Sequence, residues 1–501
     1  MPQTIDLLNQ LSTAIKPAPP RIGIVLAAGH GKRIRSETSK MLHQIWNRPT
    51  VLRVALAVQE GLESPNQVIV VGIKAEEVAR ATGSQCGRIF AYQENLALGR
   101  TAGTGDAAQV ALTAFAEGAE DRDIYIFLGD MGLLTSGAVG QFRRDFTATS
   151  CDMMVLTGSY SGPIEQNYYG RIVRVPAADS DGNPTAEDLG KVIEIKEHKD
   201  IVELDPASPY KVIYKGRSYA FTRDQLLGIR EINTGVFAFK ERQLRRYIHE
   251  IKTDNVQGEL MLTDMVHILN SHGRVVRAMQ AANEEEILAF NNKSVLSQME
   301  SIARRWAYER LMDTITIADE EDFFIADETI EQIIALDRDK GPLDLRIGKG
   351  VHIGPQIQLN RHVQIGDHSH LSGNIAMGER VCIGPGVQLS TYPDQTMILA
   401  EGVQILDRNI LKGDLQIGAE SRIESGVIMT GSNQFPMRVG QRVTIKGTSY
   451  LYGCHIDDDL LIEHSVIKCK HVEQILKRDG TIQPIRYVLP PPEGLDSLAE
   501  L

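Results

Sequence analysis

The sequence lacks the features of a membrane protein, of a disulfide scaffold and of a broad nucleic-acid-binding surface. Its 501 residues contain no run of about 18 apolar residues, so we expect no transmembrane helix and no membrane partner. The five cysteines form no CxxC pair, which argues against a zinc site and is typical of a reducing, cytoplasmic compartment. The net charge of -12 predicts no nucleic-acid partner, although a local basic pocket for phosphate stays open.

A glycine-rich turn with cations follows the first apolar run of the chain. Residues 22–26 predict a buried strand, and residues 26–33 (LAAGHGKR) then place glycines at 29 and 31 and cations at 32 and 33. Backbone N–H groups approach an anion closely where no Cβ intervenes, and cations add full charges against phosphate oxygens. The pattern predicts a polyphosphate site, although Gly-x-Gly alone also fits a turn without a ligand.

Apolar strands alternate with helical patterns from residue 21 to about residue 295. Strands are predicted at 22–26, 67–72, 89–92 and 124–128, and helices at 50–60 and 104–116. Buried strands separated by helices predict an α/β domain with a Rossmann-like, mixed and mostly parallel sheet covered by helices on both faces. Ligands of such sheets bind at the carboxyl ends of the strands, where Gly29 and Asp130 fall.

A different pattern begins at residue 347, after a helical segment at 294–313. Seven consecutive hexads each open with an aliphatic residue: IGKGVH, IGPQIQ, LNRHVQ, IGDHSH, LSGNIA, MGERVC and IGPGVQ. The repeat weakens and resumes at 417–428 and 439–450. A period of six predicts a parallel β-helix, because each hexad forms one short strand and a corner. The pattern resembles the left-handed β-helix of bacterial acyltransferases, and this resemblance implies a homotrimer.

Further motifs resemble one enzyme family and follow its order along the chain. They are SKMLH at 39–43, Gln93 with GTG at 103–105, GD at 129–130, YGRI at 169–172, EHKD at 197–200, EINTG at 231–235 and NN at 291–292. Together with the glycine-rich turn they resemble the sugar-1-phosphate nucleotidyltransferases. They are most similar to the uridylyltransferase domain of bifunctional UDP-N-acetylglucosamine pyrophosphorylase / glucosamine-1-phosphate acetyltransferase.

The resemblance implies a division of the chain into five segments. These are an N-terminal extension at 1–20, a nucleotidyltransferase domain at 21–295, a linker helix at 296–325, a left-handed β-helix at 326–465 and a C-terminal tail at 466–501.

The resemblance also implies a reaction and a role for each motif residue. A sugar-1-phosphate attacks the α-phosphorus of UTP and pyrophosphate leaves in line, so catalysis needs positioning and charge neutralisation rather than a protein nucleophile. N-acetylglucosamine-1-phosphate is the first candidate acceptor, and Mg²⁺ the implied cofactor. The implied roles are catalysis for Arg33 and Lys40, Mg²⁺ binding for Asp130 and Asn291, nucleotide binding for Leu26, Ala28, Gly29, Gly31, Gln93, Gly103 and Thr104, and sugar binding for Gly170, Glu197 and Asn233.

Four of these residues also have a non-catalytic interpretation. Asp130 fits a turn cap, and Asn233 fits a turn residue before Thr-Gly. Lys40 fits a surface lysine, and Glu197 fits a solvated charge in a polar run. His43 is predicted to be structural, because the reaction needs no general base there.

The chain departs from the family at several positions. Residues 94–102 extend the base-binding loop, Asp106 stands where the family has histidine, and a polar insertion of roughly twenty residues lies within 201–230. These departures leave the sugar open between N-acetylglucosamine, glucose and N-acetylgalactosamine.

The β-helix lacks the Asn-Phe-Val-Glu-x-Lys and His-x-x-Tyr-Leu-Gly-Asp segments of acetyl transfer. Fold alone does not confer that activity, so we expect no glucosamine acetyltransferase activity. The histidines at 352, 362, 368 and 370 fall outside the inward column of the repeat, where polar surface is the default interpretation. An acyltransferase of altered specificity and a non-catalytic sugar-nucleotide sensor remain as alternatives.

Overall fold

The chain folds into two compact units in a computed structural model. The structure describes residues 2–29, 31, 34–100, 102–118 and 121–486. The units are Met1–Glu300 and Ser301–Leu501. Within the described residues, no helix combines the length and apolar character needed to cross a membrane.

The first unit is an α/β domain. Its helices are α1 (Pro2–Leu11), α2 (Thr50–Leu62), α3 (Ala75–Thr82), α4 (Glu94–Ala97), α5 (Thr104–Thr113), α6 (Ser136–Ala148), α7 (His198–Val202), α8 (Arg223–Leu227), α9 (Glu241–Tyr247) and α10 (Met265–Ser271), and α11 (Lys293–Leu311) begins in this unit and ends in the second. Its strands are β1 (Arg21–Ala27), β2 (Gln44–Ile45), β3 (Arg48–Pro49), β4 (Gln67–Val71), β5 (Arg88–Tyr92), β6 (Asp123–Leu128), β7 (Met153–Ser159), β8 (Arg171–Arg174), β9 (Val192–Lys196), β10 (Tyr210–Tyr214), β11 (Arg217–Phe221), β12 (Glu231–Lys240) and β13 (Val276–Gln280).

The main sheet is mixed and mostly parallel. Its strand order is β13-β7-β12-β6-β1-β4-β5, with β8 and β9 continuing from β12. Strand β1 is parallel to β4 and β6, whereas β12 is antiparallel to β6 and β7. The carboxyl ends of β1, β4, β5 and β6 therefore meet at one edge of the sheet.

Two apolar cores cover the two faces of this sheet. In β1, Ile22 and Ile24 pack into a core with α5 and α10, whereas Val25 packs into a second core with α2, α3 and α6. Successive strand side chains point to opposite faces, so a strand buried on both sides must be apolar throughout. This requirement explains the unbroken apolar run from which β1 was predicted.

The segment 201–230 is polar in composition but folds into an ordered lobe. It contains the hairpin of β10 and β11 and the helix α8, which begins with a capping box between Thr222 and Gln225. Tyr219 and Leu226 are fully buried and pack with Val173 of β8 in a separate small core. Its few apolar residues are thus spaced to cover one side of the β8–β9 ribbon.

The second unit contains helix α12 (Asp327–Lys340) and a column of short strands. The strands are β14 (Thr316–Ile317), β15 (Phe323–Ile325), β16 (Arg346–Ile347), β17 (Val351–Ile353), β18 (Ile357–Gln358), β19 (Gln364–Ile365), β20 (His370–Ser372), β21 (Ile375–Met377), β22 (Cys382–Ile383), β23 (Gln388–Ser390), β24 (Met397–Leu399), β25 (Gln404–Ile405), β26 (Ile410–Gly413), β27 (Leu415–Ile417), β28 (Arg422–Ile423), β29 (Ile428–Gly431), β30 (Met437–Val439), β31 (Thr444–Ile445), β32 (Tyr450–Tyr452), β33 (His455–Ile456), β34 (Leu461–Ile462), β35 (Val466–Lys468) and β36 (His471–Val472).

These strands form three parallel sheets. From β16 onwards the pairing partner is the third strand along the chain, whereas β14 pairs with β16 and β15 with β17. The aliphatic residue that opens a hexad is buried, as in the rungs Ile365, Ile383 and Ile405. The step from Ile383 to Ile405 is four residues longer than the step from Ile365 to Ile383. The six-residue repeat therefore weakens in the sequence where one coil contains extra residues. The pairing of strands continues across this coil.

The expected fold class, a Rossmann-like sheet followed by a left-handed parallel β-helix, is confirmed. The ladders continue as far as β36, so Val466 and His471 lie in strands within the segment that the sequence assigned to the tail. Residues 487–501 lie outside the described part of the chain.

Candidate active site

Strand β1 carries the glycine-rich turn to the carboxyl edge of the sheet. Leu26 and Ala28 are both buried in the core that also contains residues of α5 and α10. Gly31 has a φ of +79°, and a Cβ built there lies only 2.9 Å from Cβ of Lys40. Glycine is needed at this position both for the backbone conformation and for the close approach of Lys40.

Part of the turn lies outside the described residues. His30, Lys32 and Arg33 belong to that part, so the contact of Arg33 with the triphosphate stays a prediction. Gly29 is described, and apart from its chain neighbours no atom of the described residues lies within 4 Å of a Cβ built on it. Within the described part of the chain, nothing therefore crowds the backbone of Gly29, as the approach of a phosphate requires.

Lys40 lies in a cluster with Asp130, which is also buried, and with Asn291, which is half-buried. Lys40 is the first residue of a short 3₁₀ helix, Lys40–Leu42, and it is 7% exposed. The ammonium group forms an ion pair with Oδ2 of Asp130 and donates a hydrogen bond of 3.0 Å to Oδ1 of Asn291. It also lies 5.4 Å from the centroid of the Phe290 ring. The surface-lysine interpretation of Lys40 is therefore wrong.

The oxygen atoms of this cluster fit a divalent cation. Asp130 is buried, and its Oδ1 has no hydrogen-bond partner among the described residues. A buried carboxylate oxygen without a partner is unfavourable unless a cation or ligand satisfies it. The Asn291 amide oxygen approaches the same ammonium group. Carboxylate and amide oxygens are ligands of Mg²⁺, which takes the rest of its shell from water and phosphate, so the two residues fit the ion.

The base-binding loop is held by the segment 260–262. Gly103 has a φ of +134°, and a Cβ built there lies 2.3 Å from the Leu260 carbonyl oxygen. The same carbonyl accepts a hydrogen bond of 2.8 Å from Gly105 N, and the Thr104 hydroxyl accepts one of 3.0 Å from Leu262 N. Only glycine fits at position 103, and Thr104 anchors the loop in addition to its predicted contact with the base.

Gln93 follows β5 and faces the start of helix α5. It is 2% exposed. Its amide nitrogen donates a hydrogen bond of 2.7 Å to Oδ2 of Asp106 and one of 3.2 Å to the Gly103 carbonyl. Asn95 donates a bond of 2.9 Å to the other oxygen of the same carboxylate. From the sequence, Asp106 was noted only as a departure from the family. The structure shows that its carboxylate accepts hydrogen bonds from Gln93 and Asn95.

The three predicted sugar-binding residues lie together beside β12. Asn233 N donates a hydrogen bond of 2.9 Å to the Gly170 carbonyl. A Cβ built on Gly170 lies 3.0 Å from Oε1 of Glu197, so the glycine leaves room for this carboxylate. The Asn233 side-chain oxygen accepts a bond of 2.9 Å from Gly235 N. Asn233 therefore lies in strand β12 at its bulge rather than in a turn, and it stays a candidate ligand.

Glu197 carries an unusual carboxyl group. Burial raises its pKa to about 7, with help from repulsion by Asp200 and Asp264, whereas Arg171 acts in the opposite direction. Glu197 is partly buried beside Gly170, so its carboxyl is not a fully solvated charge. Near neutral pH the group exchanges between a hydrogen-bond acceptor and a donor.

The predicted sugar-binding residues lie close to the carboxyl end of β6, and Asp130 comes directly after this strand. A bulge in β12 between Asn233 and Val236 brings Gly235 against Leu128, whose Cδ1 lies 2.7 Å from a Cβ built on the glycine. The Asp130 carboxylate also contributes to the raised pKa of Tyr169, after burial and Tyr160. Tyr169 opens the YGRI motif but was not among the predicted site residues.

The histidines of the β-helix lie away from these residues in the chain. The rings of His352 and His370 stack at 4.4 Å on neighbouring strands. Among the described residues, one group of three potential metal ligands lies close together, namely His455, Asp457 and His471. His471 is exposed and already paired with Asp457 at 2.8 Å, as in an ordinary surface ion pair.

Comparisons with known proteins place the chain in a family. Residues 23–198 match the model of the MobA-like NTP transferase domain. A bifunctional protein GlmU from Streptomyces griseus is 30% identical over 478 residues, which cover 85% of this chain and 88% of that protein. A bifunctional protein GlmU from Streptomyces avermitilis is 31% identical over 437 residues, covering 82% and 80% respectively. The chain belongs to the GlmU family.

As a member of the GlmU family, the chain is a nucleotidyltransferase that acts on a sugar-1-phosphate. The resemblance inferred from its motifs is confirmed, because the alignments extend over most of both partners. A solved UDP-glucose pyrophosphorylase in complex with UDP-glucose covers 58% of this chain and 99% of its own, at 12% identity and a TM-score of 0.38. A likeness at that level adds no argument about substrate.

Proposed function

We propose that this GlmU-family chain transfers a uridylyl group from UTP to N-acetylglucosamine-1-phosphate in the presence of Mg²⁺. A phosphate oxygen of the sugar phosphate forms the new bond to the α-phosphorus, and the bond to the bridging oxygen breaks as pyrophosphate leaves. The observation that supports this most is the cluster of Lys40, Asp130 and Asn291 at the sheet edge, in which Lys40 and Asp130 are buried. It places an ammonium group and two oxygen ligands for a metal ion beside a glycine-rich turn.

Each residue of this cluster is proposed to help neutralise the negative charge of the phosphates. Asp130 and Asn291 are proposed to hold Mg²⁺, which supplies positive charge next to phosphate oxygens. Lys40 is proposed to release its pair with Asp130 and place its ammonium against the triphosphate. Its burial strengthens that interaction, because the surroundings exclude water. Arg33 is proposed to add a second positive charge from the turn.

The protein residues predicted to bind the sugar and the base are proposed to position the two substrates. Glu197 and Asn233 are proposed to bind the hexose and its N-acetyl group, while Gly170 leaves space beside the carboxylate. Gln93, Gly103 and Thr104 are proposed to bind the uracil edge, with Leu26, Ala28, Gly29 and Gly31 around the ribose and phosphates.

The remaining parts of the proposal concern the whole chain. We propose a homotrimer formed through the β-helix, a cytoplasmic location and no acetyl transfer to glucosamine-1-phosphate. The last point is supported by the missing acetyl-transfer segments, because a β-helix without the reacting side chains offers only a scaffold.

A pyrophosphate-release matrix of nucleoside triphosphates against sugar-1-phosphates tests the reaction. We expect the highest rate with UTP, N-acetylglucosamine-1-phosphate and Mg²⁺, and loss of the rate with a chelator. Asp130→Asn keeps the size of the side chain but removes its charge, so turnover should fall at least about 100-fold with little change in thermal stability.

Asp123→Asn is the matched control, since Asp123 begins the same strand and pairs with Lys240 at 2.6 Å. It should retain turnover. Near-normal activity of Asp130→Asn refutes the metal assignment, and no pyrophosphate from any substrate pair refutes the proposed function.

A further inference from the structure

We propose that Asp106 is a positioning residue that fixes which end of the Gln93 amide faces the nucleotide base. The site thereby selects bases with a ring N–H, such as uracil, over cytosine. This inference rests on the proposed function, in which Gln93 contacts the base. It assigns a role to Asp106, which stands where the family has histidine.

Both protons of the Gln93 amide are already used inside the protein. The nitrogen donates to Oδ2 of Asp106 at 2.7 Å and to the Gly103 carbonyl at 3.2 Å. An amide NH₂ group has two donor protons, so it has none left for a ligand. What Gln93 still offers is its oxygen, Oε1, which accepts no hydrogen bond from any residue in the described part of the chain.

The chemistry of Asp106 makes this orientation the favoured one. A carboxylate only accepts hydrogen bonds, so both Gln93 and Asn95 must turn their NH₂ groups towards it. A flipped Gln93 brings two acceptors together in a place where Gln93 and Asp106 are 2% and 5% exposed and little water intervenes. Asp106 lies in the first turn of α5, where the helix dipole favours a negative charge.

The orientation of Gln93 decides which pyrimidine fits. Uracil carries a proton on N3 and donates it to an acceptor such as Oε1. Cytosine has an unprotonated N3, which is itself an acceptor and repels the same oxygen. A site that leaves a buried polar group unpaired with the wrong ligand discriminates strongly against that ligand. Asp106 is thus proposed to produce the discrimination without touching the base.

Asp106→Asn is the decisive variant. Asparagine has the same shape, but its amide donates as well as accepts, so it satisfies Gln93 in either orientation. We expect the ratio of kcat/KM for UTP to that for CTP to fall at least about tenfold. The gain should appear with CTP, and dTTP, which keeps the N3 proton, should follow UTP. The same ratio should fall in the equilibrium binding of UDP and CDP.

Asn95→Ala is the matched control, because it removes the other amide from the same carboxylate and leaves Gln93 in place. It should keep the UTP to CTP ratio of the wild type. The inference is overturned if Asp106→Asn keeps that ratio, if it lowers both nucleotides equally, or if Asn95→Ala changes the ratio as much.

The two proposals fail in different ways. A wild type that uses UTP while Asp106→Asn keeps its selectivity overturns only the role of Asp106. A wild type that releases no pyrophosphate but prefers UDP to CDP in binding, with the preference lost in Asp106→Asn, overturns only the reaction. If the wild type neither reacts with UTP nor binds UDP, both are overturned.

Discussion

At the scale of single residues, the site depends on groups whose properties come from burial. Lys40 and Asp130 are common surface residues by type, yet both are nearly inaccessible to water here. Burial makes their mutual attraction strong and leaves Oδ1 of Asp130 in need of a ligand. The sequence identified Lys40 and Asp130 as candidate site residues by their type and position. Their burial in the fold gives them their unusual chemistry.

Glu197 predicts a pH dependence of sugar binding. With a pKa of about 7, the carboxyl is mostly protonated at pH 6 and mostly ionised at pH 8. If the carboxylate accepts the sugar hydroxyls, kcat/KM for the sugar phosphate should rise about tenfold between these values. Glu197→Gln should lower kcat/KM and flatten this rise, which a pH–rate series with both proteins measures. A profile that is identical in the variant contradicts the role of Glu197.

The same shift affects stability in a defined direction. The folded protein holds the proton of Glu197 up to about pH 7, whereas the unfolded chain releases it near the ordinary value of 4.5. The contribution of this group to the free energy of unfolding therefore falls as the pH rises from 4.5 to 7. Glu197→Gln should gain thermal stability relative to the wild type at pH 8 but not at pH 4.5.

At the scale of elements, the loops are placed by contacts that lie far from them in the sequence. The base loop is held by the segment 260–262. The lobe at 201–230 is ordered by a small core that it shares with β8. Polar composition and missing periodicity gave no sign of this order, because a few buried side chains are sufficient when a partner surface is already present.

Gly103→Ala tests the close contact between the base loop and Leu260. The new methyl group collides with the Leu260 carbonyl oxygen, and the φ of +134° is unfavourable for alanine. We expect the free energy of unfolding to fall by about 1–3 kcal/mol and the KM for UTP to rise at least about tenfold. Denaturant titrations and initial rates measure the two effects.

Gly137→Ala in helix α6 is the comparison for this variant. A Cβ built there meets no atom closer than 3.5 Å, so stability should be unchanged or slightly higher. Equal losses in the two variants contradict the assignment of a special role to the Gly103 contact.

At the scale of the whole molecule, the β-helix offers a row of exposed apolar side chains. Ile410 and Ile428 follow one another on neighbouring strands, each 39% exposed, and Tyr450 comes next in the same row. Water-facing isoleucines stacked in a row are typical of a surface that another chain covers. The row is therefore our candidate for the contact in the proposed homotrimer.

Ile428→Glu should dissociate that trimer. Three copies of a buried carboxylate at one contact are strongly unfavourable, so the mass from sedimentation equilibrium should fall to that of a single chain. Gln404→Glu, on another sheet and beside Arg422, is the control and should leave the mass unchanged. A monomeric wild type refutes the proposed trimer. A trimeric Ile428→Glu variant shows that the contact between subunits does not include this row.

The sequence by itself determined the two architectures and the family. The unbroken apolar run of β1 and the period of six after residue 347 follow directly from strand geometry and burial, so they are visible in a single sequence. The motif order identified the enzyme class for the same reason, since each motif is a local string. The roles of the individual residues stay predictions.

Only the tertiary structure decided which residues meet. Lys40 contacts Asn291 across 251 positions of chain, and Asp106 accepts a hydrogen bond from the amide of Gln93 across 13 positions. Such pairs depend on the register of the sheet and on the packing of helices against it, which no local pattern encodes. The burial that turned Glu197 into a group with a pKa of about 7 has the same origin.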